Sequence, residues 1–274
     1  MKLTIRLLLL RKKQRTDNTI LNIVVSFGVK MADKNLLQLK KWLDESNNIV
    51  FFGGAGVSTE SGIPDFRSVD GLYNAKYDYP PEEILSHTFF VKNTKEFYRF
   101  YTDKMIFKNA KPNYAHYFLA ELEKLGKLKA VITQNIDNLH QMAGSKKVLE
   151  LHGSVYRNYC RNCKKFFGID KILACAPDVP KCDCGGIIKP DVVLYEEGLS
   201  NDILFESIKA IENAEVFIIG GTSLSVYPAA SLVNYYHGDK LVLINKTPTP
   251  YDSYANLVFN QPIGRLFESL KEIK

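Results

Sequence analysis

A chain of 274 residues that is 46% hydrophobic and 24% charged has the composition of a globular protein able to bury a substantial core. Its net charge of +6 comes mostly from scattered lysines, with no basic stripe interleaved with aromatics, so nucleic acid is not expected as a direct ligand. Five cysteines, four of them in two close pairs, indicate a metal site rather than a disulfide framework, and with it a reducing, cytoplasmic setting.

Residues 1–30 stand apart from the rest. Leu7-Leu8-Leu9-Leu10 lies between Arg6 and Arg11-Lys12-Lys13 with no small-residue cleavage site nearby, and it is far short of the ~20 apolar residues that span a bilayer. We expect a dispensable extension there, or an upstream start that is not used, and no membrane association. The domain proper starts near Met31. From Asp33 as N-cap, Leu36, Leu39, Trp42 and Leu43 make one apolar helical face, which Asn47-Asn48 ends. Ile49-Val50-Phe51-Phe52 then reads as a buried parallel strand. The glycine-rich Gly53-Gly54-Ala55-Gly56 that follows it is suited to hold a phosphate or pyrophosphate, although Thr59 stands where a dinucleotide fingerprint has its third glycine.

Residues 68–110 are rich in aromatics, which we read as the packing of a small helical subdomain. Asn113 can cap a helix whose buried stripe is Ala115, Phe118, Leu119, Leu122 and Leu125, with Gly126 as its stop. Further strands are expected at Ala130–Ile132, Val148–Leu151, Val192–Leu194, Val216–Ile219, Leu241–Ile244 and Leu257–Phe259, with helices ending near Asn213, over Ala229–Tyr236 and from Pro262. Strands alternating with helices at this rhythm predict an α/β fold: a doubly wound, mostly parallel Rossmann-like sheet with a small zinc-ribbon and helical second domain. The expected division is 31–155 with 190–274 as the nucleotide-binding domain, 68–110 as the helical part of the small domain, and 156–189 as the zinc ribbon.

In such sheets ligands sit beyond the carboxyl ends of the strands. The polar clusters fall at those ends: Gly53–Thr59, Thr133–Asn138, His152-Gly153-Ser154, Gly220–Ser225 and Asn245. Cys160-x2-Cys163 and Cys182-x-Cys184 can supply four thiolates to one tetrahedral zinc, which would leave no open position and so be structural; Cys175 is the odd one out. Of the five histidines only His152 stands among glycine and serine beside the expected site, and neutral imidazole can accept a proton near pH 7.

The stretches Gly54-Ala55-Gly56-Val57-Ser58 through Gly62-Ile63-Pro64-Asp65-Phe66-Arg67 and Thr133-Gln134-Asn135-Ile136-Asp137-Asn138-Leu139-His140 resemble two signatures of the sirtuin family, in its bacterial short-chain form. His152-Gly153-Ser154, the cysteine pairs, Lys189-Pro190-Asp191-Val192-Val193, Gly221-Thr222-Ser223-Leu224 and Ile244-Asn245 are similar in order and spacing, over roughly residues 34–270. The resemblance implies NAD-dependent deacetylation of protein lysines, with NAD consumed as co-substrate and nicotinamide and O-acetyl-ADP-ribose as products. It implies His152 as the base acting on the ribose hydroxyls. Ala55, Thr59, Phe66 and Arg67 would contact NAD; Phe66, Ile136 and Asp137 would form the nicotinamide pocket; Gln134 and Asn135 would hold the ribose. Thr222, Ser223, Asn245 and Ile263 would contact the adenosine end. Acetyl-lysine proteins or peptides would lie as an added strand between Val193-Leu194-Tyr195 and Leu224-Ser225-Val226.

Two departures stand out. Succinyl-preferring members carry a tyrosine and an arginine three residues apart, where this chain has Tyr98 and Tyr101, which argues for an uncharged acyl group. Tyr195-Glu196-Glu197 replaces the commoner aromatic-glycine-glutamate. The competing functions are an NAD-dependent oxidoreductase, a non-catalytic NAD and zinc module, and a mono-ADP-ribosyltransferase. The first lacks the acidic residue about 20 positions beyond the glycine turn that should hold the ribose.

Overall fold

The computed structural model describes residues 34–65 and 77–273. The extension expected over 1–30 and the cap expected at Asp33 lie outside the described residues. A helix over 34–45 (α1) leads into β1 (Ile49–Gly53). Next come α2 (Pro81–Ile84), α3 (His87–Lys92), α4 (Thr94–Lys104), α5 (Tyr114–Lys124) and β2 (Leu128–Thr133). The middle of the chain forms α6 (Leu139–Ala143), β3 (Val148–Glu150), β4 (Gly153–Cys160), β5 (Phe166–Phe167), α7 (Ile169–Cys175) and β6 (Ile188–Val192). It closes with α8 (Asn201–Glu212), β7 (Val216–Gly220), β8 (Leu241–Ile244), β9 (Leu257–Phe259) and α9 (Ile263–Lys271).

Six strands form one sheet in the order β3-β2-β1-β7-β8-β9, every neighbouring pair parallel. The chain winds outward from β1 through β2 and β3, then returns to β7 on the other side of β1. That reversal opens a crevice between β1 and β7, where such sheets hold ligands. Side chains alternate across the sheet. Ile49, Phe51, Val131, Ile218 and Val242 face one core with Leu39, Leu43, Leu119, Leu122, Leu266 and Phe267 of α1, α5 and α9. Val50, Phe52, Ile132, Phe217, Ile219 and Leu243 face the other with Ile211 of α8 and Leu232 and Val233. Every residue of β1 and β7 is buried, as a central strand covered on both faces requires.

The second lobe is a three-stranded antiparallel sheet, β5-β4-β6, packed with α2, α3, α4 and α7. Its core holds the aromatics expected of a helical subdomain: Phe89, Phe90, Phe97, Tyr98, Phe100 and Tyr101 are all buried, with edge-on and stacked ring contacts.

Three local expectations change. Val192 ends β6 of the small sheet, and Val193-Leu194 belongs to no strand. A three-residue apolar run does not reveal its partner, and here the partner is antiparallel β4. The helix expected over Ala229–Tyr236 is a 3₁₀ helix, Ala229–Tyr235. Leu125 is exposed, because it is the C-cap of α5, beyond the last turn that faces the core, and Gly126 follows with φ +74°.

Candidate active site and metal centre

The turn after β1 is packed against the turn after β7 too closely for side chains. A Cβ on Gly56 would lie 2.7 Å from Gly221 Cα. Gly56 N–H donates to Gly221 O (2.8 Å) and Gly54 N–H to Gly220 O (3.2 Å). The 3₁₀ turn Ala55–Val57 that follows starts with an Ala55 N–H that has no partner among the described residues. Such a donor, in a loop at the mouth of the crevice, suits an anionic group.

A cavity of about 820 Å³ opens here. Ala55, Thr59, Gln134, Asn135, Ile136, Asp137, His152, Thr222, Ser223, Asn245 and Ile263 all line it, as do Val193, Leu194, Tyr195 and Val226. Most of these follow the carboxyl ends of β1, β2, β3, β7, β8 and β9, where the parallel topology gathers motifs that lie far apart in sequence, while Val193, Leu194 and Tyr195 follow β6 of the small sheet. Leu224 does not line the cavity; it is buried in the second core, at φ +54°. Phe66 and Arg67 lie outside the described residues. Tyr98 and Tyr101 are buried in the small lobe and do not line the cavity, and the Tyr98 hydroxyl donates to Ile188 O.

His152 immediately precedes β4, its Nδ1 2.9 Å from Gln134 O. A carbonyl can only accept, so Nδ1 carries the proton, and Nε2 is the free lone pair of neutral imidazole. Burial lowers the His152 pKa from its usual value, and the Gln134 carbonyl offsets part of that shift. Gln134 Nε2 donates to Thr222 Oγ1 (3.1 Å), linking the ends of β2 and β7.

Ser58 was not singled out from the sequence, yet it organises the floor. Its hydroxyl donates to Asp137 Oδ2 (2.6 Å) and accepts from Asn135 Nδ2 (3.0 Å). Leu139 N–H donates to the other Asp137 oxygen (2.9 Å). Burial raises the Asp137 pKa, against these donors, which hold the charged form. In the sequence Ser58 closes the signature stretch Gly54-Ala55-Gly56-Val57-Ser58, with no role of its own assigned there.

About the metal centre, Cys160 Sγ lies 3.4 Å from Cys184 Sγ, and Cys163 Sγ lies 3.6 Å from Cys182 Sγ and 3.5 Å from Cys184 Sγ. All four sulfurs fall within 4.8 Å of one another. A tetrahedron of thiolates around zinc, at ~2.3 Å per bond, has edges of roughly 3.8 Å. The four cysteines therefore fit a structural zinc. The backbone N–H of Cys163, first among several donors, lowers the Cys160 thiol, which favours the thiolate a metal needs. Cys175 stands apart at the end of α7.

Residues 54–228 match the Sir2 family profile. The chain belongs to the Sir2 family. A protein from Clostridium acetobutylicum named NAD-dependent protein deacetylase is 60% identical over 236 residues, covering 85% of this chain and 96% of its own length. A Sir2 structure with deacetylated p53 peptide and 3'-O-acetyl ADP ribose superposes with a TM-score of 0.80 at 42% identity, covering 86% of this chain and 97% of that one. A Sir2 structure with p53 peptide and NAD+ gives a TM-score of 0.76 at 42% identity, covering 86% and 96%. Among the described residues of this sirtuin, no helix is long and apolar enough to cross a membrane.

Proposed function

We propose that the protein is an NAD-dependent protein-lysine deacetylase acting on acetyl-lysine proteins or peptides, with NAD as co-substrate and a structural zinc. The observation that carries the reading is His152, held by Gln134 O with its basic nitrogen left over, in the same cavity as the β1 turn and Asn135–Asp137. NAD supplies the glycosidic bond whose cleavage releases nicotinamide and leaves an ADP-ribosyl acceptor for the acetyl group.

The chain's own residues hold and orient. Asp137, fixed by Ser58 and by Leu139 N–H, presents a carboxylate that can accept from a carboxamide; Ile136 beside it lines an apolar wall. Gln134 and Asn135 stand where ribose hydroxyls can be held, and His152 Nε2 takes a proton from one of them. Ala55 and Thr59 would meet the pyrophosphate end, with Thr222, Ser223, Asn245 and Ile263 toward the adenosine. Phe66 and Arg67 are assigned to NAD on the sequence motif alone. Cys160, Cys163, Cys182 and Cys184 would hold zinc at the far side of the small lobe, where it shapes the β4 to β6 region and takes no part in chemistry.

For the acyl-lysine we assign Val193, Leu194, Tyr195 and Val226 as walls of the groove. The N–H groups of Val193, Leu194 and Tyr195 are already bonded to His152 O, Glu197 and Leu85 O. Strand addition would therefore use the neighbouring Glu196 N–H, which has no partner among the described residues. The domain boundaries expected at 155/156 and 189/190 would cut β4 and β6, so we assign all of Gly153–Cys160 and Ile188–Val192 to the small domain. Four reduced thiols are what a cytoplasmic setting supplies.

Nicotinamide release from NAD should depend on an acetyl-lysine peptide and be matched by O-acetyl-ADP-ribose in the mass spectrum. Release without peptide dependence, or a label retained on protein, would replace this reading with ADP-ribosyl transfer or simple NAD hydrolysis.

A further inference from the structure

Residues 193–197 leave β6 as a short irregular segment bordering the cavity. No sheet pairs it along its length, and Tyr195 is 40% exposed, so its one apolar anchor is Leu194, buried in the core of the small lobe. Its backbone is pinned by individual bonds. Val193 N–H donates to His152 O (3.0 Å), Tyr195 N–H to Leu85 O (3.0 Å), and Tyr195 O accepts from His87 N–H (2.9 Å).

One carboxylate joins these pieces. Glu197 accepts from Leu194 N–H (2.9 Å), from Lys189 Nζ (3.0 Å) and, through its other oxygen, from His87 Nδ1 (2.8 Å). Lys189 also donates to Val192 O (3.1 Å). Glu197 thus ties the end of β6, the first residue of α3 and the turn at 194–197 to one point. Burial alone would raise its pKa; the donors from His87, Leu194 and Lys189 outweigh that and lower it, keeping it charged. Glu196 adds a second tie. It sits at φ +74°, a conformation that favours glycine, and its carboxylate accepts from Thr88 N–H of α3 (2.9 Å). A glycine at this place would adopt the turn without strain but could not make that bond.

We propose that Glu197, seconded by Glu196, is a positioning residue for the acylated peptide. The two carboxylates anchor segment 193–197 to the small lobe, so that the unpartnered Glu196 N–H is offered to the peptide backbone at a fixed place. Val193 meanwhile stays bonded to the carbonyl of His152, which keeps the groove edge in step with the catalytic ring. An edge ordered before binding loses less freedom when the peptide arrives. The inference rests on the deacetylase reading.

The test compares wild type, Glu197→Ala, Glu197→Gln and Glu196→Gly, all zinc-replete, by nicotinamide release at varied acetyl-peptide and by direct NAD titration. Loss of hydrogen bonds to a charged acceptor predicts a peptide KM raised about tenfold or more in Glu197→Ala. NAD affinity should stay within about twofold and kcat should change less than KM. Glu197→Gln, which keeps one carbonyl acceptor for Leu194 N–H, should fall between; Glu196→Gly should raise KM by about two- to threefold. Peptide KM unchanged in folded Glu197→Ala or Glu197→Gln would overturn the proposal, as would NAD affinity falling in parallel with peptide affinity. Wild type without peptide-dependent release would instead overturn the deacetylase reading itself.

Discussion

The two lobes of this sirtuin reach order by different means. The parallel sheet is held by two continuous apolar cores, and its central strands are buried along their whole length. The small lobe has one core, built from aromatics and containing Cys160 and Cys182, with the other two thiols of the cluster exposed. The first lobe is stable through area removed from water. The second brings four sulfurs to one place at the edge of its core, an arrangement that is favourable when a metal neutralises the thiolates. The difference teaches where function can tolerate change: the cavity is lined by both lobes, so its geometry depends on the metal-dependent lobe as well as on the sheet.

The largest effect should come from breaking that dependence. Cys160→Ala removes one thiolate and a buried residue of the small core. Structural zinc in small modules contributes on the order of 10 kcal/mol to folding, and in a domain of this size each kcal/mol shifts the midpoint by about 2–4 °C. We expect metal analysis to find no bound zinc and the melting midpoint to fall by at least ~10 °C. A zinc-free variant that melts like wild type would show that the small lobe is held by its aromatics alone.

Next is His152, which leads into β4 of the small sheet and is tied to the rim of the large one by its Nδ1 bond. His152→Ala should lower kcat by at least ~100-fold while circular dichroism and zinc content stay those of wild type. The pH profile gives a second readout. Because burial lowers this pKa, the acid limb of kcat/KM should lie below the usual histidine value of ~6.5. Activity would be full above it and lost as the ring gains its proton.

A third prediction concerns a histidine pair behind the rim, on the large-lobe side. His116 and His140 lie with ring centroids 4.7 Å apart, and His116 Nε2 and both ring nitrogens of His140 are buried without hydrogen-bond partners among the described residues. Burial pushes His116 down to about 4 and His140, with His116 beside it, well below its normal value. Both shifts are depressions, so the unfolded chain binds protons that the native one refuses. Their contribution is complete above pH ~6.5 and declines as pH falls below it, by up to about 1.4 kcal/mol per pH unit for each ring. Urea titrations between pH 7 and 4.5 should show this slope, and His140→Leu should remove about half of it. A flat profile in the wild-type protein would mean that internal water or a partner satisfies these rings.

How much of this was legible depended on how far apart the determinants sit. Ile49–Phe52 and Val216–Ile219 are uninterrupted apolar runs between turn signals, and local pattern suffices to read them as buried parallel strands. The rim followed from them, since polar residues after each parallel strand must meet at one end. Val192-Val193-Leu194 has the same pattern and a different fate, because pairing with β4 across about thirty residues decides it. Ser58 and Glu197 were hidden for a related reason. A serine or glutamate announces nothing until its partners arrive from β2, α3 and β6, and the only mark of the left-handed turn at Glu196 is that the resembling pattern has glycine there.

The smallest effect separates pattern from position within one helix. Leu122 and Leu125 both fit the apolar stripe of α5, three residues apart, yet Leu122 is 7% exposed and Leu125 63%. Periodicity treats them alike; the helix stops between them. Leu122 is inside the last full turn and packs in the first core, whereas Leu125 donates its N–H to Glu121 and Glu123 carbonyls as the C-cap and turns outward ahead of Gly126. Leu122→Ala should therefore cost about 2–5 kcal/mol, and Leu125→Lys less than about 0.5 kcal/mol, in the same denaturation experiment. A lysine there also places a cation beside the carbonyl end of the helix dipole, so any shift should be toward greater stability. If Leu125→Lys cost as much as Leu122→Ala, α5 would extend past its cap and the stripe would be read correctly from spacing alone.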